Sequence, residues 1–287
     1  MDKEVIVESI KISNPDKLLF HNPDITKEEV VLYYQKVAQR MLPYIKNRIL
    51  SSVRCPSGIE GECFYKKHLE TDDKGIKMIM VENEKGEKDD YYYITALSGL
   101  IAEVQMNTIE FHVWGSKYPK IDKPDMMVFD LDPDEKLDIT KLREGVKDLK
   151  SILDELSLVS FLKTSGGKGY HIVIPFKPSV SWSKFRNFAK NIALLMEDKW
   201  PNKYTSSMRK SARKNKIYID WVRNAKSATS IAPYSLRIKK NAPVSIPIKW
   251  NELDKIAPNE ITIKETIRRL KNKDPWENFF NIEQYLK

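Results

Sequence analysis

The sequence predicts an α+β or α/β fold, a mixed sheet with helices packed on it, and three observations point there. Strand-like and helical apolar patterns alternate from about residue 126 to residue 222. No Pro/Gly/Ser-rich linker, internal repeat or low-complexity tract interrupts the chain. Its 287 residues are 41% hydrophobic with only 10 Gly and 15 Pro, which describes a folded chain long enough to bury a sizeable core. One continuous domain over residues 1–287 is therefore expected.

The elements follow in order. Thr26-Lys27-Glu28-Glu29 has the form of a capping box, so a helix is expected to start at Thr26, run through Val30, Tyr33, Tyr34, Val37, Ala38 and Met41, and stop at Pro43. Residues 77–83 and 91–95 read as strands joined by a charged hairpin tip, residues 84–90. Residues 109–114 alternate as a strand that carries His112. Residues 126–132 form the next strand, and Leu142, Val146, Leu149, Leu153 and Leu156 mark one face of a helix. Residues 171–176 are a strand after a glycine turn, and Phe185, Phe188, Ile192 and Leu195 mark a second helical face. Residues 217–222 are a further strand, and a short helix at 263–270 is expected to close the chain.

Charge narrows the class of partner. Forty-nine Lys and Arg against 40 Asp and Glu give a net charge of +9, which favours phosphate-rich partners such as nucleic acid or nucleotides. Two cysteines, Cys55 and Cys63, cannot staple a fold of this size, and their small number suits a reducing compartment. With His68 they leave only His21 as a fourth ligand, so zinc is not expected. No apolar run approaches membrane-spanning length and the N-terminus is polar, so a cytosolic protein is expected.

The sharpest chemistry lies in Met126-Met-Val-Phe-Asp130-Leu-Asp132-Pro-Asp134. Alternate residues of a strand share a face, which puts Asp130 and Asp132 together with Cα atoms roughly 6–7 Å apart. Two carboxylates at that spacing repel unless a cation neutralises them, and oxygen donors select Mg²⁺ or Mn²⁺. Ile217-Tyr-Ile-Asp220 ends a second apolar strand in a third carboxylate, which completes the set used in two-metal phosphoryl transfer. Between them, Thr164-Ser165-Gly-Gly-Lys168-Gly-Tyr-His171 is not a P-loop. Its glycines nonetheless allow backbone N–H groups to turn onto an anion, with Ser165, Lys168 and His171 as side-chain donors. Arg213, Arg223, Arg237 and His112 are the remaining polar candidates.

Phe129-Asp130-Leu-Asp132-Pro, Ser165-Gly-Gly-Lys168-Gly-Tyr-His171, Tyr218-Ile-Asp220-Trp-Val-Arg223-Asn and Ala232-Pro-Tyr-Ser-Leu-Arg237, in this order, resemble the polymerase domain of bacterial ligase D and its stand-alone archaeal and bacterial relatives, members of the archaeo-eukaryotic primase superfamily. The resemblance runs from Asn14-Pro-Asp-Lys17 to about Trp250-Asn-Glu-Leu253. It implies a primase-polymerase-like fold of mixed and antiparallel sheets flanked by helices. The implied activity is a nucleotidyltransferase of non-homologous end joining that extends or fills DNA ends, prefers ribonucleotides and uses two Mn²⁺ or Mg²⁺ ions. Residue by residue, it implies metal-binding catalytic roles for Asp130, Asp132 and Asp220. Ser165, Lys168, His171, Arg213 and Arg237 would hold the incoming triphosphate, and His112 would approach the sugar, where a 2′-OH contact favours ribonucleotides. Phe64-Tyr65 takes the place of a pair of phenylalanines that supply a base-stacking platform, and Tyr65 departs from that pattern. Asn14, Lys17 and Lys27 would grip a downstream 5′-phosphate, an arrangement that the start of the first helix independently favours. The implied partners are broken or gapped DNA, NTPs and dNTPs, and a Ku-like end binder with an ATP-dependent ligase in trans, in a prokaryotic, nucleoid-associated setting. Two copies bridging opposite ends are compatible with it. A two-metal nuclease or a non-catalytic end-binding module would use parts of the same residue set.

Overall fold

The computed structural model describes residues 4–69, 74–82 and 86–286. Along the first part run strands β1 (Val5–Val7), β2 (Ile10–Ile12), β3 (Leu18–His21) and β4 (Asp24–Thr26), helix α1 (Lys27–Ile45), strands β5 (Leu50–Arg54), β6 (Phe64–Lys66), β7 (Ile76–Glu82) and β8 (Lys88–Ile94), helix α2 (Leu97–Gln105) and strand β9 (Thr108–Trp114). There follow β10 (Met126–Pro133), α3 (Ile139–Glu155), β11 (Phe161–Thr164), β12 (Tyr170–Pro175), α4 (Trp182–Lys199), β13 (Tyr204–Thr205), β14 (Ile217–Asp220), β15 (Thr229–Ile231), β16 (Pro247–Ile248) and α5 (Ile263–Arg269). This is a mixed α+β fold with largely antiparallel sheets. No described helix is long and apolar enough to cross a membrane.

The chain forms two compact units. The first is built from the chain up to Val113 with Ile231–Val244 and Thr262–Asn272, the second from Trp114–Ser230, Ser245–Ile261 and the chain from Lys273 onward.

In the first unit, α1 starts as its sequence dictates. Thr26 Oγ1 accepts from the Glu29 amide at 3.2 Å, and Glu29 Oε2 accepts from the Thr26 amide at 2.7 Å, a complete capping box. Pro43 does not stop the helix, which continues to Ile45. In the last turn a proline removes only its own N–H bond, and the Lys46 amide still reaches the Leu42 carbonyl at 2.8 Å. The four-stranded sheet has the order β15-β9-β5-β6, with β5 antiparallel to both β9 and β6. Every residue of β9 is buried, so its alternation separates an apolar face (Ile109, Phe111, Val113) from a buried polar one (Glu110, His112). Strands β7 and β8 pair from Ile76↔Ile94 to Glu82↔Lys88, so Lys88, Asp89 and Asp90 lie in a strand and not in the expected hairpin tip; residues 83–85 lie outside the described residues. Helix α2 went unread because its N-cap, Ala96, offers no side-chain bond to signal a start. Cys55 and Cys63, expected to leave the fold unstapled, form a local disulfide eight residues apart.

In the second unit, the six-stranded sheet has the order β13-β14-β10-β12-β11-β16, antiparallel except for β13–β14. Helix α3 is capped by Asp138, whose carboxylate accepts from the Thr140 amide at 2.7 Å, and α4 by Ser181. Leu142, Val146, Leu149 and Leu153 are buried as expected, and so are Phe185 and Ile192. Leu156 and Leu195, each 46% exposed, fall off the core face, because Leu156 lies just past the end of α3 and Leu195 on the solvent side of α4. Strand β14 ends at Asp220, two residues earlier than expected, because residues 222–224 turn into a 3₁₀ helix. The Asn224 side chain then clamps that turn onto β10, bonding both the N–H and the C=O of Val128 at 2.8 Å. The chain continues past α5, and Trp276 Nε1 donates to the Leu162 carbonyl at 2.9 Å.

Candidate active site

Three strands of the second unit bring the predicted carboxylates together. Strand β10 pairs with β14 so that Asp130 stands directly opposite Asp220, while Asp132 stands opposite Tyr218. On its other side β10 pairs with β12, which sets Asp130 opposite His171. Gly169 is required here: a Cβ on it would stand 2.4 Å from the Leu131 carbonyl and 3.2 Å from Asp130 Oδ1, so any side chain would drive the turn away from the aspartate.

Each carboxylate faces a nitrogen-bearing side chain. His171 Nε2 lies 3.5 Å from Asp130 Oδ1, Arg213 Nη1 3.2 Å from Asp132 Oδ2, and Arg223 Nε 2.9 Å from Asp220 Oδ2. Asp220 Oδ1 also accepts from the Val222 amide at 3.1 Å and the Tyr218 hydroxyl at 3.2 Å. Burial, followed by the charge of Lys163, pulls the His171 imidazole down to about 4, so it is neutral at ordinary pH. Burial also opposes ionisation of Asp130, but His171, Arg223 and Lys163 outweigh it and hold the carboxyl below its usual range. Asp132 is pushed up by burial and then by the neighbouring Asp130, and Asp220 by burial, with Asp130 adding to it against the pull of Arg223. Three carboxylates thus share the site with Arg213, Arg223 and Lys163, yet burial and the proximity of Asp130 still hold Asp132 and Asp220 above their usual range.

Lysine 163 was not singled out from the sequence. It is 1% exposed on β11, is paired in register with His171, and its ammonium donates to Ser245 Oγ. Its signal was there, a lysine inside an apolar strand, but a lysine at a strand end ordinarily reaches solvent.

The glycine turn is closed on itself. Ser165 Oγ accepts from the amides of Gly167 at 3.0 Å and Gly169 at 3.2 Å, and the Gly166 amide donates to the Pro258 carbonyl at 2.9 Å. The expected cradle of free backbone N–H groups is thus not formed, because these donors have found acceptors inside the protein. Lys168 projects from the turn and pairs with Glu135 at 2.8 Å, both side chains exposed. Arg213 lies over the Tyr218 ring at 3.8 Å. Its buried Nε, like the buried Nδ1 of His171, has no hydrogen-bond partner among the described residues. The Arg213 N–H suits a ligand with an acceptor oxygen, whereas neutral His171, its Nε2 proton turned to Asp130, offers a lone pair at Nδ1.

Oxygen donors alone are the set that Mg²⁺ and Mn²⁺ prefer. Among the described residues no three acidic, His or Cys side chains already converge tightly enough to hold an ion. Asp130, Asp132 and Asp220 nonetheless fit divalent cations in donor type, and a cation beside them would favour the ionised form that burial opposes at Asp132 and Asp220.

The first unit gathers the other predicted residues in two places. On β9, His112 Nε2 lies 2.8 Å from Glu110 Oε2, and the edge of Tyr65 meets the His112 ring at 5.8 Å between centroids. Arg237 Nε donates to Glu110 Oε1 at 3.0 Å. Phe64 and Tyr65 are 42% and 62% exposed, and the Arg54 guanidinium lies 5.6 Å from the centre of the Phe64 ring. In the second place, the turn that holds Asn14 (φ 49°) packs on the start of α1. Lys27 donates to the Ser13 carbonyl at 2.8 Å, and Lys17 donates to the Pro56 carbonyl. Burial, followed by the charge of Lys17, lowers Lys27 to about 8. The helix-start amides expected to be free are used: those of Lys27 and Glu28 donate to the carbonyls of Lys17 and Pro15. An anion at this place would meet side-chain ammoniums and not open amides.

Known proteins resemble this chain along most of its length. Residues 26–276 match the family model of the LigD primase-polymerase domain. The chain is 31% identical over 280 residues to the multifunctional non-homologous end joining protein LigD of Pseudomonas aeruginosa, covering 96% of this chain and 33% of that protein. It is 31% identical over 265 residues to the corresponding LigD of Mycolicibacterium smegmatis, covering 92% of this chain and 35% of that protein. The chain thus spans about a third of the length of these relatives. Among solved structures, the polymerase domain from Mycobacterium tuberculosis ligase D in complex with DNA superposes with a TM-score of 0.87 at 31% identity, covering 94% of this chain and 97% of that one. The chain belongs to the LigD primase-polymerase domain family, a family of nucleotidyltransferases.

Proposed function

We propose that this chain is the polymerase of a non-homologous end-joining system, which fills gaps and extends DNA ends, with residues 1–287 acting as one catalytic domain. The observation that carries this reading is the strand-paired Asp130 and Asp220 with Asp132 beside them and the Ser165–His171 turn alongside. Asp130, Asp132 and Asp220 would hold two Mg²⁺ or Mn²⁺ ions, which when bound supply charge neutralisation at the attacking and leaving oxygens. The primer 3′-hydroxyl gives its proton to solvent water, its oxygen bonds to the α-phosphorus of the incoming nucleotide, and the bond from that phosphorus to the pyrophosphate oxygen breaks, the electron pair leaving with the pyrophosphate. Lys168, Arg213 and Arg237 offset the charge that gathers on the departing pyrophosphate, with Ser165 and His171 holding its oxygens. To reach a phosphate, Lys168 has only to leave Glu135, an exposed pair of little strength.

His112 is assigned to the sugar and gives the preference for ribonucleotides. The exposed Phe64-Tyr65 pair is the surface on which a base stacks. Asn14, Lys17 and Lys27 receive the 5′-phosphate of the downstream strand. Ku-like and ligase partners acting in trans, two copies bridging DNA ends, and a cytoplasmic, nucleoid-associated location complete the proposal.

The test is extension of a labelled primer on gapped duplex DNA, with or without a downstream 5′-phosphate, in Mn²⁺ and with ribo- or deoxyribonucleotides. Extension that is faster with the phosphate and with ribonucleotides is expected. Shortened primer would reveal a nuclease, and intact binding without extension an end-binding module; either result overturns the reading.

A further inference from the structure

Glutamate 110 stands out as a buried carboxylate with no assigned task. It is 6% exposed on β9, where the two-residue period puts it on the same face as His112. Both of its oxygens are engaged. Oε2 takes His112 Nε2 at 2.8 Å, while Oε1 accepts from Arg237 Nε at 3.0 Å and from the Ile238 amide at 2.7 Å. Arg237 is fixed a second time by its own amide, which donates to the Pro243 carbonyl at 2.9 Å. Burial resists ionisation of Glu110, but the His112 bond and the Arg237 charge prevail and hold it below the usual carboxylate range. A buried cluster of this kind adds little net stability, because desolvation offsets the ion pairing; what it supplies is fixed geometry.

We propose that Glu110 is a positioning residue that holds His112 and Arg237 as one assembly, and so governs sugar discrimination and nucleotide affinity together. The proposal rests on the nucleotide roles given above to those two residues. An ionised carboxylate only accepts, so the imidazole proton sits on Nε2 and the ring cannot flip without breaking a buried bond. In the neutral ring Nδ1 is then the lone-pair nitrogen, the type of atom to which a sugar hydroxyl donates. The same carboxylate sets the plane of the Arg237 guanidinium through Nε, which orients its two terminal nitrogens. Loss of Glu110 therefore frees two contacts at once, one that senses the sugar and one that senses the phosphates.

The experiment is single-nucleotide incorporation on gapped, 5′-phosphorylated DNA with matched ribo- and deoxyribonucleotides, for wild type, E110A, E110Q and H112A, with folding checked by circular dichroism. In E110A the ribo-to-deoxy ratio of kcat/KM is expected to fall about tenfold, the size of one ordinary hydrogen bond, and KM to rise for both nucleotides. E110Q restores part of the ratio, because its amide oxygen still accepts from Nε2. E110A combined with H112A lowers the ratio no further than H112A alone. A folded E110A with the wild-type ratio and KM overturns the proposal. Nitrogen-15 NMR of the wild-type imidazole decides independently of any variant: a proton on Nε2 is required, and one on Nδ1 alone overturns it. A wild type indifferent to the sugar would instead refute the ribonucleotide part of the proposed function, leaving KM and the tautomer to judge Glu110.

Discussion

Two strands carry carboxylates that differ in what surrounds them. On β10 Asp130 is held below its usual range, but Asp132 beside it and Asp220 opposite it are pushed upward by burial and by the charge of Asp130. On β9, Glu110 is a lone carboxylate met by His112, Arg237 and a backbone amide, and it is held downward. Like charges set side by side leave work for a ligand of the other sign, whereas one charge ringed by its partners fixes geometry. Lys27 with Lys17 is the mirror case, a surplus of positive charge that asks for an anion.

Asp130→Ala and Asp220→Ala are each expected to lower primer extension about a thousandfold, with DNA binding by fluorescence anisotropy preserved, against the far smaller effect of E110A. Near-normal extension by either aspartate variant would erase the distinction between the two strands.

The next effect is on stability. Cys55→Ser opens the disulfide and is expected to lower unfolding free energy by about 2–3 kcal/mol, read by calorimetry with and without reductant. Lys17 leans on the Pro56 carbonyl inside that loop, so the proposed grip on a 5′-phosphate should weaken as well. Unchanged melting on reduction would show that the loop holds without its staple.

A smaller effect sharpens the cationic case. Lys27 titrates at about 8 in the folded protein against about 10.5 in an unfolded chain. The unfolded state therefore binds more protons between those values, so stability rises with pH across that window, and the full cost of the buried charge is felt below about 8. A bound phosphate reverses the preference by favouring the charged amine. The affinity advantage of 5′-phosphorylated over 5′-hydroxyl DNA should thus fall as pH rises through about 8. Lys27→Met should remove about tenfold of that advantage together with its pH dependence. An advantage that stays flat from pH 7 to pH 9, in anisotropy titrations, would dissociate Lys27 from phosphate. Least of all, Thr26→Ala removes the cap of α1 and is expected to lower unfolding free energy by about 1 kcal/mol in chemical denaturation.

Sequence alone determined what short-range chemistry encodes. The capping box at Thr26 set the start of α1, and the period of two put Asp130 and Asp132 on one face of β10. Apolar spacing placed most of α3 and α4, and four ordered segments carried the family resemblance. Each of these rests on residues a few positions apart. Tertiary structure decided the rest. It paired Asp130 with Asp220, swung Arg213 onto Asp132, buried Lys163, and turned Glu110 to His112 and Arg237. It also spent the amides that looked free at the glycine turn and at the helix start, since buried donors take whichever acceptor the packing brings near. Register between distant strands and the partner of a buried charge are properties of the whole packed chain, and no local window of sequence contains them.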